Sequence, residues 1–334
     1  MSSRPAIGRL FAPGLLTGAL LLVAACTPPM SSSSPSGSGT EAAGGYEGVV
    51  AKVSPSIVLI ESPGGLGSGV VFNADGDIVT NDHVLGTATS FRVTTADGKM
   101  YSASVVGAYA PSDIAVIKAS GANLRPASFA NSSKLRVGQI VLAMGNPLGL
   151  QSSVSDGVVS AVGRNVTEPN GAVIPNMVQT SAAINPGNSG GGLVNLQSQV
   201  IGMPTLGAID PQIGSAVPGI GFALSSNTVT DFANQIIKNG RVVNTHRAYL
   251  GLQLGDLTGA VGVVVLGVAP SGPSETAGVQ VGDIIVSING KSTPSTPAMA
   301  QLLADLSPGD TATLNIKRNG QGMSVTVTLG ELPG

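Results

Sequence analysis

Short runs of apolar residues alternate with polar and glycine-rich turns along most of the chain. From about Tyr46 to Asn227 these runs are rich in Val and Ile and are broken by Gly, Asn and Asp. Short β-branched runs bounded by such residues are typical of strands. Examples are 56–61, 69–72, 115–118 and 139–144. Many short strands at regular spacing predict a β-sandwich or a β-barrel.

One helix is predicted at the end of this region, over residues 226–239. Apolar residues recur there at helical spacing and form one face. That face consists of Val229, Phe232, Ala233, Ile236 and Ile237. Gly240 follows at the position where glycine commonly ends a helix. We therefore predict a first domain over residues 46–240.

The strand pattern resumes after a polar joint at 245–247. Asn289-Gly290 lies between two such strands and is a strong hairpin signal. Residues 299–306 have helical spacing again. The apolar runs are 262–268, 283–288, 312–317 and 323–329. These elements predict a second, smaller β-rich domain over residues 247–334.

The composition of the chain agrees with a division into two domains and argues against nucleic-acid binding. The chain has 334 residues, which at about 100–200 residues per domain suggests two domains. Hydrophobic residues make up 42% and aromatics only 3%, with 47 glycines, so small aliphatic side chains must fill the core. A formal net charge of -2 offers no basic surface for a phosphate backbone, and nucleic acid is not expected as a partner.

The N-terminal segment has the pattern of an export signal. Arg4 and Arg9 precede an apolar run, 15–25, that is too short to span a bilayer. The run ends in Val23-Ala24-Ala25-Cys26, which resembles the bacterial lipobox, whose Cys is diacylated and becomes the new N-terminus. An ordinary signal with an incidental Cys is the alternative.

We therefore expect a lipoprotein signal peptide over residues 1–26, with Cys26 lipidated. The anchor would hold the protein to a membrane of the bacterial cell envelope, on its extracytoplasmic face. Residues 27–45 are Ser, Pro, Gly and Thr with little apolar content, which predicts a flexible tether. Cys26 is the only Cys, so no disulfide forms within the chain.

A glycine-rich segment around Ser189 is the strongest local candidate for chemistry. A serine hydroxyl needs a base to take its proton, and the oxyanion it generates needs backbone N–H donors. The candidate oxyanion hole is Gly187, Asn188 and Ser189, because Gly187 has no Cβ to obstruct the substrate. A glycine-rich surface turn is the alternative interpretation.

The candidate base is His83, because the chain has only two histidines. His83 follows an apolar run at 78–80, whereas His246 lies in the polar joint and is expected to be a solvated linker residue. A carboxylate must orient the imidazole, and Asp113 opens the apolar run 114–117. Asp82 adjoins His83 and is expected to point elsewhere.

Three further aspartates compete with Asp113 for the acid role. Asp75, Asp77 and Asp97 all lie near glycines in what the pattern predicts to be hairpin turns. Asp113 therefore remains the best candidate.

The segments 80–84, 112–116 and 187–191, in the order His, Asp, Ser, resemble the HtrA family of chymotrypsin-fold serine proteases. Similarity continues at 145–147, 158–161 and 219–223. The resemblance implies a mainly β protein, with a double six-stranded β-barrel, trypsin-like protease domain followed by one PDZ domain. It also implies the triad His83, Asp113 and Ser189 at the barrel interface, and a homotrimer.

The resemblance also suggests how substrates are recognised. In such folds the residue six before the nucleophile lies at the base of the specificity pocket, which here is Ala183 with Ile184 beside it. An uncharged, narrow pocket favours cleavage after small or medium aliphatic residues. Tyr249-Leu250-Gly251-Leu252 resembles the PDZ loop that binds a peptide's terminal carboxylate.

Other classes of function find less support in the sequence. Two separated histidines and one Cys give no metal-ligand cluster, and 64–69 lacks the Lys of a phosphate loop, so no cofactor is expected. The rival function is a PDZ-bearing chaperone or sensor that binds misfolded chains and cleaves little. We expect a serine endopeptidase acting on unfolded or damaged envelope proteins, or on one membrane signalling protein.

Overall fold

The computed structural model describes residues 45–63, 65–121, 123–146, 153–168, 172–185, 187–209, 216–257, 259 and 261–334. The predicted signal peptide, Cys26 and almost all of the predicted tether lie outside the described residues. Within the described part of the chain, no helix is long and apolar enough to cross a membrane.

Six strands close into a first barrel after a short helix, α1, Gly45–Val53. They are β1 Ile57–Ser62, β2 Gly65–Val71, β3 Asp77–Thr80, β4 Ser90–Thr94, β5 Met100–Tyr109 and β6 Ile114–Ala119, in the order β1-β2-β3-β6-β5-β4. A single helical turn, α2, Asp82–Leu85, follows β3. Inward-facing residues alternate along barrel strands, and small aliphatic side chains fill this interior. They include Val58, Ile60, Val71, Ile78 and Ile117.

A second barrel of six strands follows. It contains β7 Ile140–Gly145, β8 Ser153–Thr167, β9 Val173–Thr180, β10 Gly192–Asn195, β11 Val200–Ile209 and β12 Ala216–Ser225, in the order β10-β11-β12-β9-β8-β7. The predicted pair of closed six-stranded barrels is confirmed.

The two barrels share one hydrophobic core. It takes Val70, Val79 and Ile114 from the first barrel and Leu142 and Met203 from the second. Burial of such aliphatic side chains stabilises the packing by roughly 1.5–3 kcal/mol each. The barrels are therefore held face to face, and side chains at their seam keep fixed neighbours.

Helix α3, Ser226–Asn239, packs its predicted apolar face into this shared core. The Ser225 side chain accepts a hydrogen bond from Thr228 N at its start. Gly240 adopts φ 72° at its end, a left-handed conformation that glycine adopts without a Cβ clash. The predicted helix and its terminating glycine are both confirmed.

The second domain is a smaller sheet with helices on it. Its strands are β13 Ala248–Tyr249, β14 Leu252–Asp256, β15 Val263–Val268, β16 Ile284–Ile288, β17 Lys291–Ser292, β18 Thr311–Arg318, β19 Gln321–Thr328 and β20 Gly330–Glu331. Its helices are α4 Pro273–Thr276 and α5 Thr296–Ala304. The predicted hairpin is confirmed, because Asn289 and Gly290 both have positive φ between β16 and β17.

The joint between the domains is hydrogen-bonded on both sides. Gln235 of α3 accepts from the N–H groups of residues 243 and 244, and Thr245 Oγ1 donates to Leu332 O at 2.7 Å. His246 lies in this joint with an exposed ring, as predicted for a linker residue. Its Nε2 lies 3.1 Å from Asp231 Oδ2, so it also ties the joint to α3.

Direct contacts also join the second domain to the second barrel. Asn165 Nδ2 donates to Asp305 Oδ1 at 2.8 Å, and Arg247 Nη2 donates to Val173 O at 2.9 Å. Residues 41–334 accordingly form one compact unit. The hairpin between β8 and β9 therefore lies against helix α5.

Candidate active site

His83 and Asp113 form the central pair of the candidate site. His83 lies in the turn α2 directly after β3, and Asp113 follows a 3-10 turn, Ala110–Ser112. His83 Nδ1 is 2.8 Å from Asp113 Oδ2 and 3.0 Å from Oδ1. The His83 backbone N–H also donates to Asp113 Oδ1 at 3.0 Å. The carboxylate thus fixes the ring through one edge and leaves Nε2 on the other.

Asp113 is 5% exposed and is held from both barrels. Thr205 of β11 donates through Oγ1 to Asp113 Oδ2. Asn81 Nδ2 donates to Asp113 O at 2.9 Å. Neither residue was predicted from the sequence to hold Asp113. A hydroxyl inside the otherwise apolar run of β11 was the available signal for Thr205.

The pKa of the His83 imidazole is raised above its usual 6.5. The main cause is the hydrogen bond to Asp113, which favours the charged ring, while burial acts in the opposite direction. The negative charges of Asp113, Asp82 and Glu168 add to the increase. The ring therefore retains a proton to higher pH than an isolated histidine does.

The competing aspartates have other partners. Asp97 pairs with Lys99 at 2.8 Å on the surface. Asp77 was predicted to lie in a hairpin turn, and it directly follows the turn between β2 and β3. It is the buried first residue of β3, where Lys118 Nζ lies 3.1 Å away and neutralises the carboxylate. β3 pairs with β6 in a register that places Asp77 opposite Lys118, so the buried carboxylate has a cationic partner.

Ser189 is half-buried in a turn at 187–190. The N–H of Asn188 donates to Asn185 O at 3.1 Å, and that of Gly191 donates to Asn188 O at 3.0 Å. The N–H of Gly190 donates to Pro204 O of β11 at 3.0 Å. Among the described residues, no acceptor faces the N–H of Gly187 or of Ser189. Within the described part of the chain these two donors are thus without an acceptor, whereas that of Asn188 is already used.

The loop packs directly against the segment that leads to His83. Gly190 has φ 78°, and a Cβ there would lie 2.4 Å from Thr80 Oγ1 and 3.2 Å from Asn81 N. Only glycine permits this approach. The hydrogen bonds of the described residues do not include one from Ser189 Oγ to the ring of His83. The hydroxyl and Nε2 are therefore both uncommitted.

The predicted specificity residues adjoin this loop. Asn188 Nδ2 donates to Ala183 O at 2.9 Å, and Asn188 Oδ1 accepts from Asn185 N at 3.1 Å. Ile184 covers Gly221 of β12, since a Cβ at that glycine would lie 2.3 Å from Ile184 Cγ1. An aliphatic side chain thus fills space beside the site and no charged group lies at these positions.

The segment Tyr249-Leu250-Gly251-Leu252 lines a cavity of about 630 Å³. Such a volume is typical of ligand sites. Leu250 is also buried in the core of the second domain. Helix α5 forms another wall, and residues 174–176 of β9 close the cavity from the protease side. A ligand in this cavity would contact both domains.

Comparison with known protein families identifies both domains. A trypsin-like peptidase domain model matches residues 67–203, and a PDZ domain model matches residues 248–329. The serine protease Do-like HtrB of Bacillus subtilis (strain 168) is 40% identical over 289 residues, which is 78% of this chain and 61% of that protein. The chain thus spans less than two thirds of that relative. The serine endoprotease DegS of Escherichia coli (strain K12) is 33% identical over 348 residues, 96% of each chain.

Solved structures agree with these relatives. The HtrA-type protease AlgW with a decapeptide is 30% identical and has a TM-score of 0.62, over 86% of this chain and 99% of that one. A serine endoprotease from Yersinia pestis is 35% identical with a TM-score of 0.61, over 86% and 98%. The predicted double barrel followed by a PDZ domain is confirmed. The chain belongs to the HtrA family of serine endopeptidases.

Proposed function

We propose that this chain hydrolyses peptide bonds with Ser189 as nucleophile, His83 as general base and Asp113 as the acid that orients the ring. One observation carries the assignment, which is the buried carboxylate bound to His83 Nδ1 at 2.8 Å. That bond holds the neutral ring with its proton on Nδ1. The lone pair of Nε2 is then available to accept the proton of Ser189.

The reaction proceeds in two halves. Nε2 takes the Oγ proton as Oγ bonds to the scissile carbonyl carbon, and the carbonyl oxygen becomes an oxyanion. The N–H groups of Gly187 and Ser189 stabilise that charge. The C–N bond then breaks and the imidazolium gives its proton to the leaving amine. Water, activated by the same ring, hydrolyses the acyl-enzyme.

We infer that cleavage follows small or medium aliphatic residues. Ala183 and Ile184 border the candidate pocket, and the amide of Asn188 braces the segment that carries them. A Lys or Arg side chain would enter without a carboxylate to pair with it, and an unpaired charge is costly to desolvate.

The PDZ domain recognises peptide segments of protein substrates, and we propose Tyr249, Leu250, Gly251 and Leu252 as the carboxylate-binding residues. The cavity that they line supports this assignment. Gly251 has φ 73°, which turns successive N–H groups towards one side. A bound peptide would add a strand beside β14, with its last side chain against α5.

We further propose unfolded or damaged proteins of the cell envelope as substrates, with a single membrane signalling protein as the alternative. The names of two relatives, probable periplasmic serine endoproteases of Halomonas elongata and Chlamydia trachomatis, support an extracytoplasmic location. The chain would be anchored there through Cys26 of the lipobox-like segment. The family resemblance implies that it assembles as a homotrimer.

Replacing the nucleophile tests the enzyme assignment against the chaperone alternative. Ser189→Ala should lower kcat on an unfolded protein by roughly 10⁶-fold, because no other group can form the acyl-enzyme. Mass-spectrometric mapping of the fragments should show cuts after aliphatic residues in wild type. As a matched control, the Ser120→Ala variant, which is changed at an exposed turn, should cleave the substrate as fast as wild type does. Undiminished cleavage by Ser189→Ala would refute the triad, and cuts mainly after Lys or Arg would refute the pocket.

The raised pKa of His83 determines the pH range over which kcat/KM falls as the solution is made more acidic. Because the base must be neutral, kcat/KM should rise with pH through a midpoint above 6.5. Asp113→Asn removes the main cause of the increase, so the midpoint should move to lower pH while kcat falls roughly 10⁴-fold. Profiles on a short peptide would measure both. A midpoint that stays fixed in Asp113→Asn, or moves equally in His246→Gln, would contradict this assignment.

A free terminal carboxylate should be needed for binding in the PDZ cavity. Isothermal titration of the Ser189→Ala protein with an apolar peptide should give an affinity that falls about tenfold or more when the peptide's C-terminus is amidated, because charged hydrogen bonds are lost. An equal change on acetylating the peptide's N-terminus is not expected. Equal affinities for the acid and the amide would exclude this binding mode.

Lipidation predicts a membrane-bound protein that one substitution releases. Cys26→Ser removes the sulfur that would carry the diacyl group, so the chain should move from the membrane to the soluble fraction and lose the acyl mass. Detergent-solubilised wild type should sediment at three times the mass of the chain. Wild type without acyl mass would disprove the anchor, and a monomer would disprove the trimer.

A further inference from the structure

Ser68 in β2 is fully buried, at 0% exposed, and its N–H and hydroxyl both bond the loop around Ser189. Its N–H donates to Ser189 O at 3.0 Å. Its carbonyl accepts from Thr80 Oγ1 at 2.7 Å. Its hydroxyl contacts Gly187 O at 2.5 Å and Asn146 N at 2.8 Å. The residue therefore joins a strand of the first barrel to two loops of the second.

The direction of the hydroxyl bonds follows from chemistry. A serine hydroxyl has one proton to donate and lone pairs to accept with. The backbone N–H of Asn146 can only donate, so Ser68 Oγ must accept that bond. Its own proton is then directed to the carbonyl of Gly187, which can only accept. Both ends of the hydroxyl are committed, and its orientation is fixed.

The Gly187 carbonyl belongs to the peptide unit between the two free N–H donors of the site. The Gly187 N–H lies before that unit and the Ser189 N–H lies after it. Gly187 has φ 110°, a conformation that only glycine adopts readily, and it has no side chain to hold it. The N–H of the same unit, on Asn188, donates to Asn185 O at 3.1 Å within the loop. The Ser68 hydroxyl holds the carbonyl from outside the loop, so that both polar groups of the unit are restrained.

We propose that Ser68 is a positioning residue for the oxyanion hole. By holding the Gly187 carbonyl, it keeps the N–H groups of Gly187 and Ser189 directed at one point, where the substrate oxygen becomes charged. Donors fixed in advance need no reorganisation when the charge develops, which is the source of their effect. The inference rests on the proposed function and adds a group that does not itself touch the substrate.

Loss of the hydroxyl should act on the transition state more than on substrate binding. Ser68→Ala should lower kcat about tenfold or more on a short peptide, less than the 10²–10³-fold that removal of a donor costs. KM should stay within about twofold, because ground-state binding uses the hole little. Affinity for a peptide boronic acid, which forms a tetrahedral adduct on Ser189, should fall by the same factor as kcat/KM. Affinity for a reduced-amide analogue, which has no carbonyl oxygen, should not change.

A matched control separates positioning from stability. Ser226 is also 0% exposed and its Oγ donates to a distant backbone carbonyl, Ala130 O, at 2.7 Å. Ser226→Ala should lower the thermal midpoint of unfolding as Ser68→Ala does, but keep kcat and boronate affinity. Ser68→Cys places a weaker donor in a similar volume and should give an intermediate kcat, which keeps the test decisive if Ser68→Ala does not fold.

The outcomes distinguish this inference from the proposed function. If wild type neither cleaves nor reacts with a fluorophosphonate at Ser189, both are overturned. If wild type is active and Ser68→Ala keeps its kcat, only the positioning role of Ser68 is overturned. The same holds if kcat falls while boronate affinity does not, or if Ser226→Ala loses as much kcat as Ser68→Ala.

Discussion

The arrangement of the two barrels depends on the free-energy cost of burying one carboxylate, that of Asp113. An ionised carboxylate removed from water must be hydrogen-bonded, or its burial costs several kcal/mol. Asp113 meets this requirement with donors from both barrels, His83 from the first and Thr205 from the second. Neither barrel alone supplies the full set. This carboxylate thus has its full set of donors only when the two barrels are docked.

Hydrophobic packing makes that docking possible. The aliphatic side chains at the seam, with the apolar face of α3, form a core that crosses from one barrel to the other. The polar links then set the register of the two halves to within hydrogen-bonding distance. Ser68 and Gly190 lie where β2 and β3 meet the loop around Ser189, so the same packing that stabilises the fold also determines the geometry of the candidate site.

Much of the fold and the candidate base could be predicted from the sequence, because the signals lay within single segments or the candidate residues were few. Helix α3 had a clear period and a terminating glycine, and the hairpin had Asn289-Gly290. The scarcity of histidine left His83 with little competition. The order of motifs then gave the family.

The remaining parts depend on contacts between distant segments. Nothing near Thr205 or Ser68 in the sequence shows that one reaches Asp113 and the other Gly187, since only the closed barrels bring them together. The burial of Asp77 was not evident for the same reason, because its partner Lys118 is supplied by a neighbouring strand. Asn188 looked like part of the oxyanion hole, but its N–H is used within its own turn.

The way the PDZ domain is tethered restricts how it can move. Its first and last strands, β13 and β20, pair with each other, and Thr245 Oγ1 donates to Leu332 O beside them. A rotation of the domain about this joint would separate α5 from β8 only by breaking the hydrogen bonds from Asn165 to Asp305 and from Gln301 to Thr167. The width of the cavity beside residues 174–176 therefore depends on those bonds.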